Sequence, residues 1–248
     1  KPSVLRWPGG CFAETYNWRD GIGENRPVRL NWWTPNDSRY EPNTVGTHEF
    51  IDLCNLIGAK PYFAANLTAS DPLSIRDWMD YCMSPRGSTT LALEREKNGH
   101  PEPFELKYIC IGNENEGQDY FLRYSEFLKA FNKAKAENPK LYEGLELIYS
   151  SGAADAINGW NHIPSYQYAK AELDKMGSTD AKDFAGAVDQ HYYNEPEWFL
   201  KNADYYDEEN YKRTVEEMTD TIYGGAIKIF LGEYAAKSNT LKAALAEA

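Results

Sequence analysis

The chain has 248 residues, carries 38 Asp and Glu against 26 Lys and Arg, and has a formal net charge of −12. That length supports one large domain with a full core. The charge repels phosphate backbones and anionic membrane surfaces, which argues against nucleic-acid and membrane partners. Four cysteines (Cys11, Cys54, Cys82, Cys110) are too sparse for a disulfide scaffold and form no C-x-x-C pair. The four histidines, at positions 48, 100, 162 and 191, show no metal-ligand spacing.

Short apolar runs alternate with helical patterns along the chain, the signature of βα units around a parallel sheet. The first strand is Val4–Trp7. The second, Lys60–Ala65, has Pro61 near its start, where a strand tolerates one. Between them Thr47 is read as the N-cap of a helix with Phe50, Leu53, Cys54 and Ile57 at helical spacing and Gly58 as its stop. Asp71-Pro72 opens the next helix, with Ile75, Trp78, Met79 and Cys82 on one face. Strand Leu106–Ile111 precedes the longest helix, about Tyr120 to Glu137, whose inward face is Phe121, Tyr124, Phe127, Leu128, Phe131 and Ala134. Strands Leu145–Tyr149, Ala187–His191 and Ile227–Leu231 follow, with helices at Tyr166–Met176, Glu208–Tyr223 and from Asn239 onward. Cys54, Cys82 and Cys110 read as small core residues. No apolar run reaches membrane-spanning length and no signal pattern opens the chain, although a leader upstream of the first strand is compatible with it.

Two of these strands end on a glycine and then a carboxylate. One reads Tyr108-Ile109-Cys110-Ile111-Gly112-Asn113-Glu114, the other Ile227-Lys228-Ile229-Phe230-Leu231-Gly232-Glu233. In a barrel of parallel strands such ends open onto the face that carries the chemistry. Two converging carboxyl groups there suffice to cleave a glycosidic bond. Six strands also suit an open doubly wound sheet, but no G-x-G-x-x-G loop follows the first strand; Arg6-Trp7-Pro8-Gly9-Gly10-Cys11 is a poor dinucleotide cradle.

Several of these segments together resemble glycoside hydrolase family 51, the α-L-arabinofuranosidases, in its plant- and fungal-like branch. Arg6-Trp7-Pro8-Gly9-Gly10-Cys11-Phe12 and Tyr16-Asn17-Trp18-Arg19-Asp20-Gly21-Ile22-Gly23 resemble the family's strand-two region. Asn98-Gly99-His100-Pro101-Glu102-Pro103-Phe104 resembles the approach to its acid/base strand. Gly112-Asn113-Glu114 and Gly232-Glu233-Tyr234-Ala235 resemble the acid/base and nucleophile sites. The order is right and the matches span essentially the whole chain.

The resemblance implies an α/β fold, the (β/α)8 TIM barrel, here covering strands two to seven. It implies a retaining glycosidase that releases terminal α-L-arabinofuranosyl residues from plant cell-wall oligo- or polysaccharides such as hemicellulose and arabinan, by a mechanism that needs no metal or organic cofactor. Glu114 is then the general acid/base, holding its proton against the negative charge of Glu233, the nucleophile. Asn113 would bond the sugar 2-hydroxyl and Cys11 would line the pocket, a buried small residue being the alternative for Cys11. His191 and Tyr193 match a His-x-Tyr whose tyrosine touches the nucleophile; by itself His191 reads as a hydrogen-bonded core histidine. Arg6 would lie behind Glu233 and hold it ionised, or form a structural ion pair. Asn66 is placed among the sugar-binding residues, and Trp18, Trp32 and Trp198 are stacking platforms unless they pack the core. The branch leans toward export. An endo-β-1,4-glucanase or xylanase on the same pair, or a non-catalytic carbohydrate-binding fragment, stays open at this stage, as does the oligomeric state.

Overall fold

The computed structural model describes residues 1–31, 40–152, 162–204 and 228–247. The expected helix at Glu208–Tyr223 and the residue Trp32 lie outside them. Two compact units divide the chain: Lys1–Asn113 with Asp119–Leu147, and Glu114–Gln118 with Ile148–Ala248.

The first unit opens with β1 (Val4–Trp7) and a two-stranded antiparallel ribbon, β2 (Arg29–Leu30) and β3 (Tyr40–Glu41). Short 3-10 turns at Cys11–Thr15 and Trp18–Gly21 lie between β1 and the ribbon. Next come α1 (Thr47–Ile57), β4 (Lys60–Ala65), α2 (Pro72–Met83), α3 (Thr90–Lys97), β5 (Tyr108–Ile111) and the greater part of α4 (Gly117–Glu137). Strands β1, β4 and β5 run parallel, Arg6 beside Tyr62 and Tyr62 beside Tyr108. Beyond the exposed Lys60, β4 is buried at every position, as a strand covered on both faces requires. Its ring Phe63 stacks on Trp78 of α2 with centroids 4.4 Å apart, and Trp7 and Phe50 join the same cluster. On α4 the expected inward face is buried through Phe121, Tyr124, Phe127, Leu128 and Phe131. Cys54, Cys82 and Cys110 are buried thiols.

The capping of α1 differs from expectation. Gly46, not Thr47, is the N-cap, and the Glu49 carboxylate accepts its N–H at 2.8 Å. The Thr47 hydroxyl instead accepts the Trp78 indole N–H at 3.0 Å. A Cβ at position 46 would lie 1.7 Å from the Gly21 carbonyl oxygen, so the close approach of the two backbones selects glycine. The other cues act as read. Gly58 closes α1 at φ 66, and Asp71 caps α2 by accepting from the Leu73 N–H. Helix α3, capped by Thr89, was not expected; it carries the fully buried Arg95.

The second unit contains the end of β6 (Glu146–Ser150), then α5 (His162–Met176), β7 (Ala187–Asn194), α6 (Pro196–Lys201), β8 (Lys228–Ala236) and α7 (Leu241–Glu247). Strands β6, β7 and β8 are again parallel neighbours. Both later strands run longer than expected. Gln190 pairs with Leu231 but His191 pairs with Glu233, so Gly232 is an extra residue, a β-bulge inside β8. The nucleophile candidate therefore sits within a strand rather than just past its end. Each unit thus builds the parallel βα arrangement of a partial (β/α)8 barrel. No described helix is long and apolar enough to cross a membrane.

Candidate active site

The second unit gathers Glu114, Asp189, His191, Tyr193 and Glu233. Glu114 has φ 51, the left-handed region that a residue with a Cβ occupies at a cost of about 1–3 kcal/mol. The loop that holds it there is tied to the end of β6, since the Asn115 N–H donates to Ser150 Oγ at 2.9 Å and that hydroxyl lies 3.1 Å from the Asn115 carbonyl. Such strain, held by a fixed loop, is a frequent mark of a working residue.

His191 is 2 % exposed and stands between carboxylates. Its Nδ1 lies 2.8 Å from Glu114 Oε1 and 3.7 Å from Glu233 Oε2, while its Nε2 lies 3.0 Å from Asp189 Oδ2. Burial pulls the imidazole pKa down. The hydrogen bonds to Asp189 and Glu114, with the charges of Asp189 and Glu233, outweigh it and push the value up to about 9. At neutral pH the ring is an imidazolium that donates from both nitrogens. The Tyr193 hydroxyl donates to Glu233 Oε2 at 2.5 Å, a short bond of the charge-assisted kind.

One oxygen each of Glu114 and Glu233 and a ring nitrogen of His191 all lie within 4.8 Å of one another. Two carboxylates and an imidazole could in principle ligate a cation. Ligation would require the ring to be neutral, in competition with the proton that the carboxylates around His191 favour.

Other expected site residues fall in the first unit. Asn113 accepts a hydrogen bond at Oδ1 from Arg6 Nη2, and its N–H donates to Glu14 Oε1 at 2.6 Å. The Glu14 carboxylate also accepts the Thr68 N–H at 3.1 Å. Arg6 further covers the Tyr62 ring, 5.5 Å from its centroid. Asn66 is buried and bridges backbone, donating to the Tyr16 carbonyl and accepting from the Ala69 N–H. Cys11 is half-buried in a 3-10 turn. Trp18 corrects the expectation of a stacking platform. It is 4 % exposed, stacked on Trp78 at 5° with Tyr81 and the Arg19 guanidinium also against its ring, and its indole N–H is bonded to Ser74. It packs core because the Trp18–Gly21 turn folds its ring inward. Trp198, in the second unit, is half-buried on α6 and meets Phe199 edge to face.

Three participants carry little signal in the sequence. Glu14 follows the Pro-Gly-Gly turn with no periodic pattern around it. Asp189 lies two residues before His191, on the same side of the strand, and that spacing could have found it. Gly232 has the look of a strand stop.

A strained glutamate and a strand-borne glutamate, with oxygens within 4.8 Å and bridged by a histidine, form a carboxylate pair of the kind glycoside hydrolases use, on a partial (β/α)8 barrel. The family model for the α-L-arabinofuranosidase 1 domain matches residues 1–213, and the chain belongs to that family, within glycoside hydrolase family 51. It is 38% identical over 165 residues to the intracellular exo-α-L-arabinofuranosidase of Bacteroides ovatus, covering 64% of this chain and 31% of that protein. The crystal structure of the family 51 arabinofuranosidase of Xanthomonas axonopodis pv. citri superposes with a TM-score of 0.71 at 25% identity, over 99% of this chain and 53% of that one. An arabinose complex of the Thermotoga maritima α-L-arabinofuranosidase gives 0.70 at 28% identity, over 96% and 47%. The chain thus spans from 31% to 53% of the length of these relatives.

Proposed function

We propose that this chain carries the catalytic pair of a retaining α-L-arabinofuranosidase that removes terminal arabinofuranosyl residues from arabinose-containing oligo- and polysaccharides. The observation that carries the reading is the separation of the two carboxylates. Oxygens within 4.8 Å fit the roughly 5–5.5 Å spacing of a direct displacement and leave no room for the intervening water of an inverting enzyme. The arabinose bound by the Thermotoga maritima relative supports the sugar.

In this mechanism Glu233 attacks the anomeric carbon while Glu114 gives a proton to the leaving oxygen. The carbon–oxygen bond to the leaving group breaks as the glycosyl ester to Glu233 forms. Glu114, now a carboxylate, takes a proton from the water that displaces the ester, and the sugar leaves with its configuration retained. Tyr193 fixes Glu233 Oε2 and leaves the other oxygen to attack.

The test is hydrolysis of an aryl α-L-arabinofuranoside beside carboxymethyl-cellulose. Glu233→Ala should lower the first activity by roughly 10³-fold or more, and azide should restore turnover with an azide product of inverted configuration. Turnover of carboxymethyl-cellulose alone refutes the substrate. Arabinoside turnover that survives Glu233→Ala unchanged refutes the nucleophile.

A further inference from the structure

Below the catalytic pair the second unit contains a buried carboxylate that the displacement itself does not use. Asp189 is 2 % exposed, and its carboxylate sits against the bulge of β8. A Cβ at position 232 would lie 2.1 Å from Asp189 Oδ1 and 2.8 Å from Oδ2, so the bulge residue is glycine because this carboxylate fills the space a side chain would need. Asp189 is held from its backbone too, where its carbonyl accepts the Ser151 hydroxyl at 2.7 Å. From that seat Oδ2 reaches His191 Nε2 at 3.0 Å.

We propose that Asp189 is a positioning residue of this hydrolysis: by accepting the Nε2–H of His191 it fixes that ring's orientation and charge, and so keeps a proton-bearing Nδ1 on Glu114 Oε1. The inference rests on the hydrolytic reading above. With Nε2–H committed to Asp189, Nδ1 faces Glu114 in every protonation state of the ring. While the ring is charged, Nδ1–H donates to Oε1 and leaves the second oxygen of Glu114 to carry the proton for the leaving group. When the ring loses its proton Nδ1 becomes an acceptor, and that arrangement is lost. The charged and titratable groups facing His191 among the described residues are Asp189 on its own strand, Glu114 from the loop after β5 and Glu233 from β8, with Tyr193 behind Glu233. Of these Asp189 stands apart from the bond-breaking steps, so removing its charge tests the ring without removing the acid or the nucleophile.

The experiment is Asp189→Asn in the full chain, read by ¹⁵N NMR titration of the His191 ring, assigned by difference from His191→Gln, and by the pH profile of kcat/KM on an aryl α-L-arabinofuranoside. In the parent the ring should stay largely protonated at pH 8. With its midpoint shifted toward the ordinary histidine value of about 6.5, it is protonated to less than a tenth. The variant should therefore lose roughly tenfold or more in kcat/KM at pH 8 relative to pH 6, carried by kcat rather than KM, with its circular dichroism unchanged. A merely structural aspartate would move stability and leave both profiles in place. That result, or a His191 midpoint that does not move, overturns the proposal. Should Asp189→Asn not fold, Gly232→Ala carries the same expectation, since its methyl group displaces the carboxylate, and an unmoved midpoint there is equally fatal. A parent chain with a raised His191 midpoint and no turnover overturns the hydrolytic reading and the catalytic half of this proposal, while the Asp189–His191 pairing stands on the NMR alone.

Discussion

Removing the Arg95 guanidinium should cost the first unit more stability than any surface change. Arg95 is 0% exposed and spends its donors on carbonyls: Nε to His100 at 3.1 Å, Nη1 to Tyr81 at 2.6 Å and Cys82 at 3.3 Å, Nη2 to Ser84 at 2.8 Å and Pro101 at 3.1 Å. Tyr81, Cys82 and Ser84 form the C-terminal end of α2, where orphan carbonyls and the negative end of the helix dipole favour a cation. Arg95→Met keeps the stem and removes all five bonds. A buried carbonyl left without its donor costs about 1–3 kcal/mol. The two short bonds, to Tyr81 and Ser84, have the most to lose, and release from burying a charge offsets part of the total, so the net loss should be about 3–5 kcal/mol. Arg95→Lys retains the charge but has three donors on a point ammonium, and should lose about half as much. Denaturant unfolding followed by tryptophan fluorescence reads this directly, since Trp18 and Trp78 lie in the same unit. A methionine variant within about 1 kcal/mol of the parent would mean that water or neighbouring groups satisfy those carbonyls unaided, and the reasoning fails.

Two further outcomes follow from the second unit. Tyr193→Phe removes the hydroxyl that donates to Glu233 Oε2; a bond to a charged group is worth about 1.5–3 kcal/mol, so kcat on the aryl arabinofuranoside should fall roughly ten- to a hundredfold with the fold intact, and an unaltered kcat refutes the role. His191, whose pKa is raised in the folded chain to about 9, binds its proton more tightly folded than unfolded. That stabilisation is fully present below about pH 6.5 and is lost as pH rises through 9, with a ceiling of about 3 kcal/mol. Melting temperatures taken from pH 6 to pH 10 should show the fall, His191→Gln should flatten it, and equal slopes in the two proteins would refute it.

Local chemistry made much of this legible in the sequence. Asp71-Pro72 and Gly58 announce helix ends because capping is a matter of neighbouring residues, and the interior of β4 announces itself by unbroken apolarity. What stays hidden depends on residues distant in the chain. Gly232 reads as a stop, since a glycine after an apolar run usually ends a strand. It is instead a bulge whose reason, the Asp189 carboxylate, lies more than forty residues earlier. Thr47 has the right chemistry for a cap, but Trp78 claims its hydroxyl. Trp18 has the look of a loop aromatic free to meet a sugar, but Trp78 covers it. Helix α3 combines a weak apolar stripe with charged residues, and its inward-facing anchor is an arginine, the residue that patterning assigns to solvent. The acid and nucleophile candidates are visible because both closely follow apolar runs in the sequence; their bridge through His191 and Asp189 needs three dimensions.

The bulge at Gly232 gives the two carboxylates unequal anchorage. Glu233 is laced into a strand ladder that continues to Ala236, so its position is inherited from the sheet. Glu114 sits on a short loop, tied through Asn115 to the Ser150 hydroxyl, and meets His191. Natural drift or laboratory redesign of the loops at the strand ends can therefore reshape what approaches Glu233 without moving it. The same freedom exercised around Asn115 and Ser150 reaches Glu114 at once. The fold has one fixed jaw and one adjustable jaw, and for the proposed hydrolysis the room for new specificities lies on the side of Glu114.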